Sequence, residues 1–106
     1  MTDFEPSKFE DKYVYYLPRL QRAYRDAFET MNDRRDSQIV HAIDQQVLNE
    51  SEPFFEGADS EPIFRIELPP EPYERLSGVV VDRERFEQIL DEYVTELQAS
   101  LEREFL

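Results

Sequence analysis

The single histidine of this chain, His41, lies in the stretch VHAIDQQVLNE at residues 40–50, among residues with polar side chains. An imidazole titrates near neutral pH, so His41 has the chemistry of a general base. Asp44 follows it by three positions, a spacing that lets the carboxylate hold one tautomer of the ring. Because residues three and four positions apart share one side of a helix, we expect a polar surface here, which we call the amide face. The amide face consists of Gln38, His41, Asp44, Gln45 and Asn49.

We predict that the amide face binds another protein and carries no catalysis. A partner can cover its uncharged donors and acceptors without desolvating the carboxylates that dominate the rest of the chain. The alternative is a small enzyme or ligand-binding domain in which His41 works with carboxylates brought close by the fold. A concave pocket that contains His41 and two or more acids would support this alternative. The sequence offers no second histidine and no glycine-rich phosphate loop, so we assign no catalytic residue and favour a protein that is not an enzyme.

The composition argues against metal centres and cofactors. The chain has no cysteine, which excludes disulfides, thiol catalysis and cysteine-ligated metals, and one histidine is too few for a typical zinc site. The acidic stretch EGADSE contains Glu56, Asp59 and Glu61, whose carboxylates suit a hard cation, but it is shorter than the twelve-residue calcium loop. Because acids are abundant throughout the chain, we interpret this stretch as a solvated turn. We therefore predict no metal and no cofactor.

A second pattern mixes tyrosines with arginines in the first third of the chain, as in proteins that stack the bases of single-stranded RNA. The residues are Tyr13, Tyr15, Tyr16, Arg19, Arg22, Tyr24 and Arg25. An RNA-associated protein is our third interpretation, and it requires a continuous basic patch that acids leave unpaired. The patch would comprise Arg19, Arg22, Arg34 and Arg35. The net charge of −13 repels phosphate, and Arg22 and Arg25 stand four positions before acids that can pair with them. Nucleic acid is therefore a disfavoured partner.

The charge balance is the strongest compositional signal. The chain has 25 acidic and 12 basic residues, and the basic residues are 10 arginines and 2 lysines. A carboxylate-covered, lysine-poor surface suits a protein that stays soluble where salt screens self-repulsion, because the Debye length is only about 3 Å at molar salt. We therefore predict a protein from the cytosol of a halophile. The acidity is uneven, since residues 1–49 carry 9 acids and 7 bases, whereas residues 50–106 carry 16 acids and 5 bases.

Apolar residues recur every three or four positions from residue 9 to residue 31, which predicts a long amphipathic helix with one apolar face. Its apolar stripe is Phe9, Tyr13, Tyr16, Leu17, Leu20, Tyr24, Ala27, Phe28 and Met31. Pro18 interrupts this helix, so we expect a kink or two abutting helices, and the continuation of the apolar stripe beyond Pro18 favours the kink. Residues 32–36 form the next turn, and Asp36 or Ser37 can cap a second helix. The second helix has apolar positions at Ile39, Val40, Ile43, Val47 and Leu48 and ends at Asn49.

The second half begins with strand patterns and ends with a helix. The segments PFFE and IFRIEL flank a turn sequence, GADSEP, which predicts a β-hairpin. The proline-rich PPEPY at residues 69–73 predicts a stiff connector, and the β-branched GVVV at residues 78–81 predicts a buried third strand. Asp82 then caps the last helix. The apolar stripe of that helix is Phe86, Ile89, Leu90, Tyr93, Val94, Leu97, Leu101 and Phe105.

These elements predict an α+β fold in which residues 1–106 form a single domain, with residues 1–6 as a flexible N-terminus. The predicted order is helix, helix, strand, strand, strand, helix (ααβββα), with the helices on one face of a short antiparallel sheet. The long helices also offer a surface for a homodimer. No segment is apolar enough for a membrane span, and the N-terminus lacks a signal-peptide pattern, so we expect a cytoplasmic protein without membrane contact.

Two stretches carry a resemblance to a known family. They are FEDKYVYYLPRLQRAYRDAFETMNDRRDSQIVHAIDQQVLNESEPFF at residues 9–55 and GVVVDRERFEQILDEYV at residues 78–94. The chain resembles a family of small, acidic, functionally uncharacterised proteins from halophilic archaea. This resemblance covers most of the chain and implies a cytoplasmic setting in a halophile. It implies no activity, cofactor or site residue.

Overall fold

Helices occupy both ends of the chain and a short hairpin lies between them. The structure is a computed structural model, and it describes residues 4–56 and 62–106. The α-helices are α1 (Lys12–Tyr15), α2 (Leu17–Arg34), α3 (Ser37–Gln46) and α4 (Arg83–Phe105). The strands are β1 (Glu52–Glu56) and β2 (Ile63–Glu67). Short 3-10 turns span Pro6–Asp11, Leu48–Glu50 and Pro72–Arg75. The helices pack against the two-stranded antiparallel sheet, which confirms the α+β fold class.

The framework of the molecule is the pair formed by α2 and α4, the two longest helices. Ala23 and Ala27 of α2 are fully buried, and their small side chains let the two helices approach closely. The predicted stripe of α4 is confirmed, because all of its members except the half-buried Val94 are buried in the core. This stripe is therefore covered within the chain, so the predicted homodimer through the long helices has no exposed apolar stripe on α4 to use.

The first helical stretch breaks before Pro18. Tyr16 lies between α1 and α2 with φ −127° and ψ 12°, outside helical geometry, and Pro18 falls in the first turn of α2. A proline is tolerated there because the first helical N–H groups have no intrahelical partner, whereas inside a continuous helix its ring would clash with the carbonyl of Val14. The favoured kink was therefore wrong, and the alternative of two abutting helices is correct. The apolar stripe nevertheless continues across the break, since Tyr16 and Leu20 are both buried.

The two predicted aspartate caps are confirmed. The Asp36 carboxylate accepts hydrogen bonds from the backbone N–H groups of Gln38 and Ile39, at 2.9 and 3.4 Å, and begins α3. The Asp82 carboxylate accepts one from the N–H of Arg85 at 2.8 Å and begins α4. Each cap satisfies donors that the first helical turn leaves without a partner.

The predicted hairpin is confirmed as the antiparallel pair of β1 and β2. Phe55 stands opposite Phe64 in its register. Phe64 is buried, and its carbonyl accepts a hydrogen bond from the side chain of Gln98 on α4 at 2.8 Å. This bond ties the hairpin to the helical framework. Residues 57–61, which include most of the predicted turn and of the EGADSE stretch, lie outside the described residues.

The predicted third strand was wrong and the first predicted helix is two, so the order ααβββα is corrected to αααββα for the described residues. Residues 78–81 pair with no strand, and Val80 is completely exposed. The Gln46 side chain accepts a hydrogen bond from the N–H of Ser77 at 2.8 Å and donates one to its carbonyl at 3.0 Å. These two hydrogen bonds hold the segment beside the end of α3, and α4 follows it in the chain. A β-branched sequence favours strand geometry, but pairing requires a free sheet edge within reach.

Candidate functional site

The structure divides the predicted amide face into three parts. Gln38, His41 and Gln45 are exposed on α3, so they remain together on one surface. Asn49 is also exposed but lies in the 3-10 turn after α3, beside a cavity. Asp44 is half-buried and faces α4. The sequence spacing therefore located three of the five residues on a common exposed helix face.

His41 rests against α2. Its ring meets the ring of Phe28 edge to face, with the centroids 4.9 Å apart and the planes at 72°. Such aromatic pairs stabilise a contact beyond the area they bury. Within the described residues, no side chain makes a hydrogen bond to the imidazole of His41. Its contact is therefore a packing contact at the border between α2 and α3.

Asp44 connects α3 to α4. Its carboxylate accepts a hydrogen bond from the Tyr93 hydroxyl at 3.4 Å. Burial raises the pKa of Asp44, and this effect outweighs the lowering caused by the Tyr93 hydrogen bond and by the nearby His41. Burial also raises the pKa of Tyr93, and the Asp44 carboxylate raises it further. These two side chains therefore form a partly desolvated contact between helices.

Asn49 lies at the wall of a cavity of about 240 Å³ between α1, α2 and β1, which we call the tyrosine cavity. Its lining residues are Tyr13, Leu17, Leu20, Gln21, Tyr24, Leu48, Asn49, Ser51 and Pro53. The Tyr24 hydroxyl lies 3.1 Å from the Ser51 hydroxyl, and burial raises the pKa of Tyr24 to about 12. The lining is therefore uncharged at neutral pH. The enzyme interpretation required a pocket that contains His41 and two or more acids. The tyrosine cavity contains neither His41 nor a carboxylate.

The tyrosine cavity borders a group of exposed apolar side chains at the junction of α1 and α2, which we call the apolar shoulder. The apolar shoulder consists of Tyr13, Val14, Tyr15 and Leu17, with exposed fractions of 54%, 78%, 53% and 40%. The sequence analysis placed Tyr13 and Leu17 in the core stripe and missed this surface. Apolar residues at all five positions 13–17 were the available signal, because a helix that buries one face keeps the other polar.

A second feature that the sequence analysis missed is the buried Lys12, which is 3% exposed. Its ammonium group lies 2.8 Å from Glu52 on β1 and within 5.4 Å of the ring centroids of Phe9, Tyr13 and Phe54. The carboxylate and the three aromatic faces offset the cost of removing the charge from water. Lys12 therefore fastens α1 to the hairpin.

Comparison with known proteins identifies the family of this chain and no more. The model of a family of unknown function, DUF5783, matches residues 1–106. The chain belongs to the DUF5783 family. No curated protein and no solved structure matches it. Membership supports the prediction of an uncharacterised protein and assigns no activity to the DUF5783 chain.

The arginines that would form a nucleic-acid patch on this DUF5783 protein are held by acids of α4. Arg22 lies 2.9 Å from Glu104, which also lies 3.6 Å from Arg19. At the other end of α2, Arg34 lies 2.8 Å from Glu96, and Arg35 lies 2.6 Å from Glu92. The hydrogen bond from Arg35 lowers the pKa of Glu92. All four arginines are paired across the helices, so the unpaired basic patch required by the RNA interpretation is not available.

Two further features of the DUF5783 chain bear on function. Across residues 4–56 and 62–106, no group of three histidine, aspartate or glutamate side chains converges closely enough to hold a metal ion. In the same part of the chain, no helix combines the length and the apolar character needed to cross a bilayer.

Proposed function

We propose that this DUF5783 protein is a non-enzymatic module that binds another protein through a surface formed by α1, α2 and α3. The observation that carries the proposal is the apolar shoulder, four exposed apolar side chains beside an uncharged cavity on a chain with 25 acids. Contiguous exposed apolar residues surrounded by polar surface mark interaction sites in soluble proteins. Scattered exposed apolar residues would carry no such meaning.

The amide face extends this surface along α3. His41 contacts Phe28 on α2, and Asn49 lines the tyrosine cavity beside Tyr24, so the amide face adjoins α2 at two points. Gln38 and Gln45, on α3 beside His41, add exposed amide groups. A partner that covers this strip meets hydrogen-bonding groups without having to desolvate a row of carboxylates.

The dimensions of the cavity favour a protein partner over a small ligand. Small-molecule sites enclose about 300–1,000 Å³, and the tyrosine cavity, at about 240 Å³, falls below that range. A cavity of this size accommodates one aromatic or branched apolar side chain, the usual anchor of a protein interface. Glu10 and Asp11, which precede the apolar shoulder, are exposed and have no ion pair among the described residues. The partner segment we propose therefore presents one apolar anchor flanked by basic residues.

We also propose that the protein acts as a single domain in the salt-rich cytosol of a halophile. The excess of acids, with only two lysines among the basic residues, supports this setting. Salt at molar concentration screens repulsion between exposed carboxylates while it leaves apolar contacts intact. The apolar shoulder would then provide most of the affinity, and the acids would keep the protein soluble.

The test is capture of the partner from the source cytosol in molar KCl, followed by titration of the purified partner against variants. Leu17→Asp places a charge at the cavity rim, and we expect it to weaken binding about tenfold or more. Gln38→Glu and Gln45→Glu should leave folding intact and weaken binding by a smaller factor. Ile63→Asp is the matched control, because Ile63 is 51% exposed on the hairpin and outside the proposed surface.

Three outcomes would overturn the proposal. One is a partner that binds the Leu17→Asp variant as tightly as the unaltered protein. Another is a partner that is lost equally with Ile63→Asp, which would place its binding site elsewhere. The third is recovery of a small molecule in place of a protein, which would assign the tyrosine cavity to a ligand.

A further inference from the structure

The hydrogen bonds around Tyr24 fix the direction of its hydroxyl proton. The Ser51 hydroxyl lies 2.6 Å from the Leu48 carbonyl, which has no proton of its own, so Ser51 donates its single hydroxyl proton to that carbonyl. The Tyr24 hydroxyl lies 3.1 Å from the same Ser51 oxygen. Because Ser51 has no second hydroxyl proton to give, Tyr24 is the donor in this contact. The protons therefore point in one direction, from Tyr24 through Ser51 to Leu48.

This chain of hydrogen bonds leaves the Tyr24 oxygen as an acceptor. A phenol carries one proton, and its oxygen can also accept a hydrogen bond. The proton is committed to Ser51, and within the part of the chain that the structure describes no donor forms a hydrogen bond to the Tyr24 oxygen. Burial raises the pKa of Tyr24 to about 12, so the hydroxyl keeps its proton at neutral pH. Because Tyr24 and Ser51 both line the tyrosine cavity, its wall holds an acceptor that lacks a donor.

The other groups of the lining do not change this requirement for a donor. Tyr13, Gln21 and Asn49 are exposed, and the hydroxyl and amide groups of these three residues can present either a donor or an acceptor. The remainder of the wall is mainly apolar, with three leucines and a proline. A matching occupant therefore has an apolar body and a hydrogen-bond donor. An occupant without the donor would cover the Tyr24 oxygen and leave it unpaired.

We propose that the tyrosine cavity receives the indole side chain of a tryptophan from the partner protein. An indole has a large apolar ring and one polar group, an N–H that donates and cannot accept. Its N–H would meet the Tyr24 oxygen while its ring covers the leucines of the wall. A phenylalanine or leucine anchor brings no donor, and a tyrosine anchor brings a second oxygen acceptor into a wall already short of donors. This inference rests on the proposed partner surface and specifies the residue that enters it.

The composition of the chain agrees with an indole supplied by another protein. Residues 1–106 contain no tryptophan, so a second copy of this chain cannot supply the anchor. An indole is uncharged, and the edge of its ring is electropositive, so it enters a molecule of net charge −13 without repulsion. Tryptophan is also among the residues that most often provide the binding energy at the centre of a protein interface. The occupant is therefore a tryptophan of a different protein.

The first test uses small probes in place of the partner. N-acetyl-tryptophanamide, its 1-methylindole derivative and N-acetyl-tyrosinamide are each titrated against the full chain in molar KCl, and the NMR shifts of the Asn49 and Ser51 backbone amides report occupancy. The tryptophan probe should bind about tenfold more tightly than the methylated probe, which keeps the ring and lacks the donor. Equal binding of these two probes, tighter binding of the tyrosine probe, or no shift at Asn49 and Ser51 would overturn the proposal.

Matched tyrosine variants separate the hydrogen bond from the bulk of the added methyl group. Tyr24→Phe removes the acceptor, so the two tryptophan probes should then bind with nearly equal affinity. Tyr13→Phe removes a hydroxyl from the same wall and should keep the tenfold ratio between them. A ratio that survives in Tyr24→Phe would contradict the proposal. These titrations contain no partner and the capture experiment contains no probe, so a failure of the indole inference is distinguishable from a failure of the proposed partner surface.

Discussion

The pair of α2 and α4 and the segment of residues 78–82, which we call the valine edge, are both rich in apolar residues, yet they differ in burial. In the helix pair, Leu97 and Leu101 are 0% exposed, and ion pairs such as Arg34–Glu96 connect the helices at their rims. In the valine edge, Val80 is fully exposed. The difference shows that an apolar pattern sets a conformational preference, whereas burial requires a complementary partner within reach of the chain.

The comparison predicts the largest effect for a truncation inside the helix pair. Leu97→Ala removes a fully buried side chain and leaves a cavity, so we expect a loss of about 2–5 kcal/mol in the free energy of unfolding. Val80→Ala should change it by no more than about 0.5 kcal/mol, because no core contact is lost. Denaturant titration in molar KCl measures both variants. Similar losses for the two would show that Val80 is buried in solution.

A smaller loss in the free energy of unfolding is expected at the buried ammonium group of Lys12. Glu52→Gln removes the partner of the buried Lys12 ammonium, so we expect a loss of about 2–3 kcal/mol. Glu56→Gln on the same strand is the control, because its pair with Arg65 is exposed to solvent and should contribute much less to stability. Combining Glu52→Gln with Lys12→Met should restore most of the loss. A double variant as unstable as Glu52→Gln would contradict this account of Lys12.

Tyr24, in the wall of the tyrosine cavity, should make the free energy of unfolding depend on pH in the alkaline range. Burial raises the pKa of Tyr24 from 10.0 to about 12, so the folded state holds the hydroxyl proton more tightly than the unfolded state does. This contribution to stability, about 3 kcal/mol, is fully present below pH about 10 and is lost as the pH rises through about 12.

Denaturant titrations at alkaline pH measure this dependence, and Tyr24→Phe provides the comparison. The variant should lose stability less steeply over that pH range than the unaltered protein. Part of the slope should remain in the variant, because burial also raises the pKa of Tyr93. Identical slopes for the two proteins would indicate that Tyr24 titrates as an exposed phenol.

The smallest effect is expected at the junction between the two compared regions. Asp82 ends the valine edge and caps α4, so Asp82→Ala should cost about 1 kcal/mol in the free energy of unfolding. Asp82→Asn keeps a capping oxygen and should cost less. If Asp82→Ala had no measurable effect on thermal unfolding, the cap would not stabilise the start of α4.

The sequence predicted elements that depend on neighbours along the chain. The cap at Asp36, the cap at Asp82 and the hairpin of β1 and β2 all follow from residue types a few positions apart, and the structure confirms them. The break before Pro18 was predicted only as the alternative to a kink, because the apolar stripe continues through it. The exposed state of Tyr13 and Leu17 was missed, since a helical stripe indicates a shared face but not whether another element covers it.

For the candidate site, spacing alone placed Gln38, His41 and Gln45 on one exposed helix face. Spacing did not predict that Asp44 points away from this face to contact Tyr93 on α4, because Asp44 and Tyr93 are 49 positions apart in the chain. The tyrosine cavity was beyond sequence analysis for the same reason, since α1, α2, the turn after α3 and β1 all contribute to its wall.

By itself, the sequence determined the acidic character of the molecule, the absence of cysteine chemistry, the helical registers and the residues that begin α3 and α4. These properties arise from composition and from interactions between near neighbours. Only the tertiary structure decided that Lys12 is buried beside Glu52, that the apolar shoulder stays exposed and that residues 78–81 remain unpaired. Each of these depends on which distant segments meet in space, and local patterns carry no information about that choice.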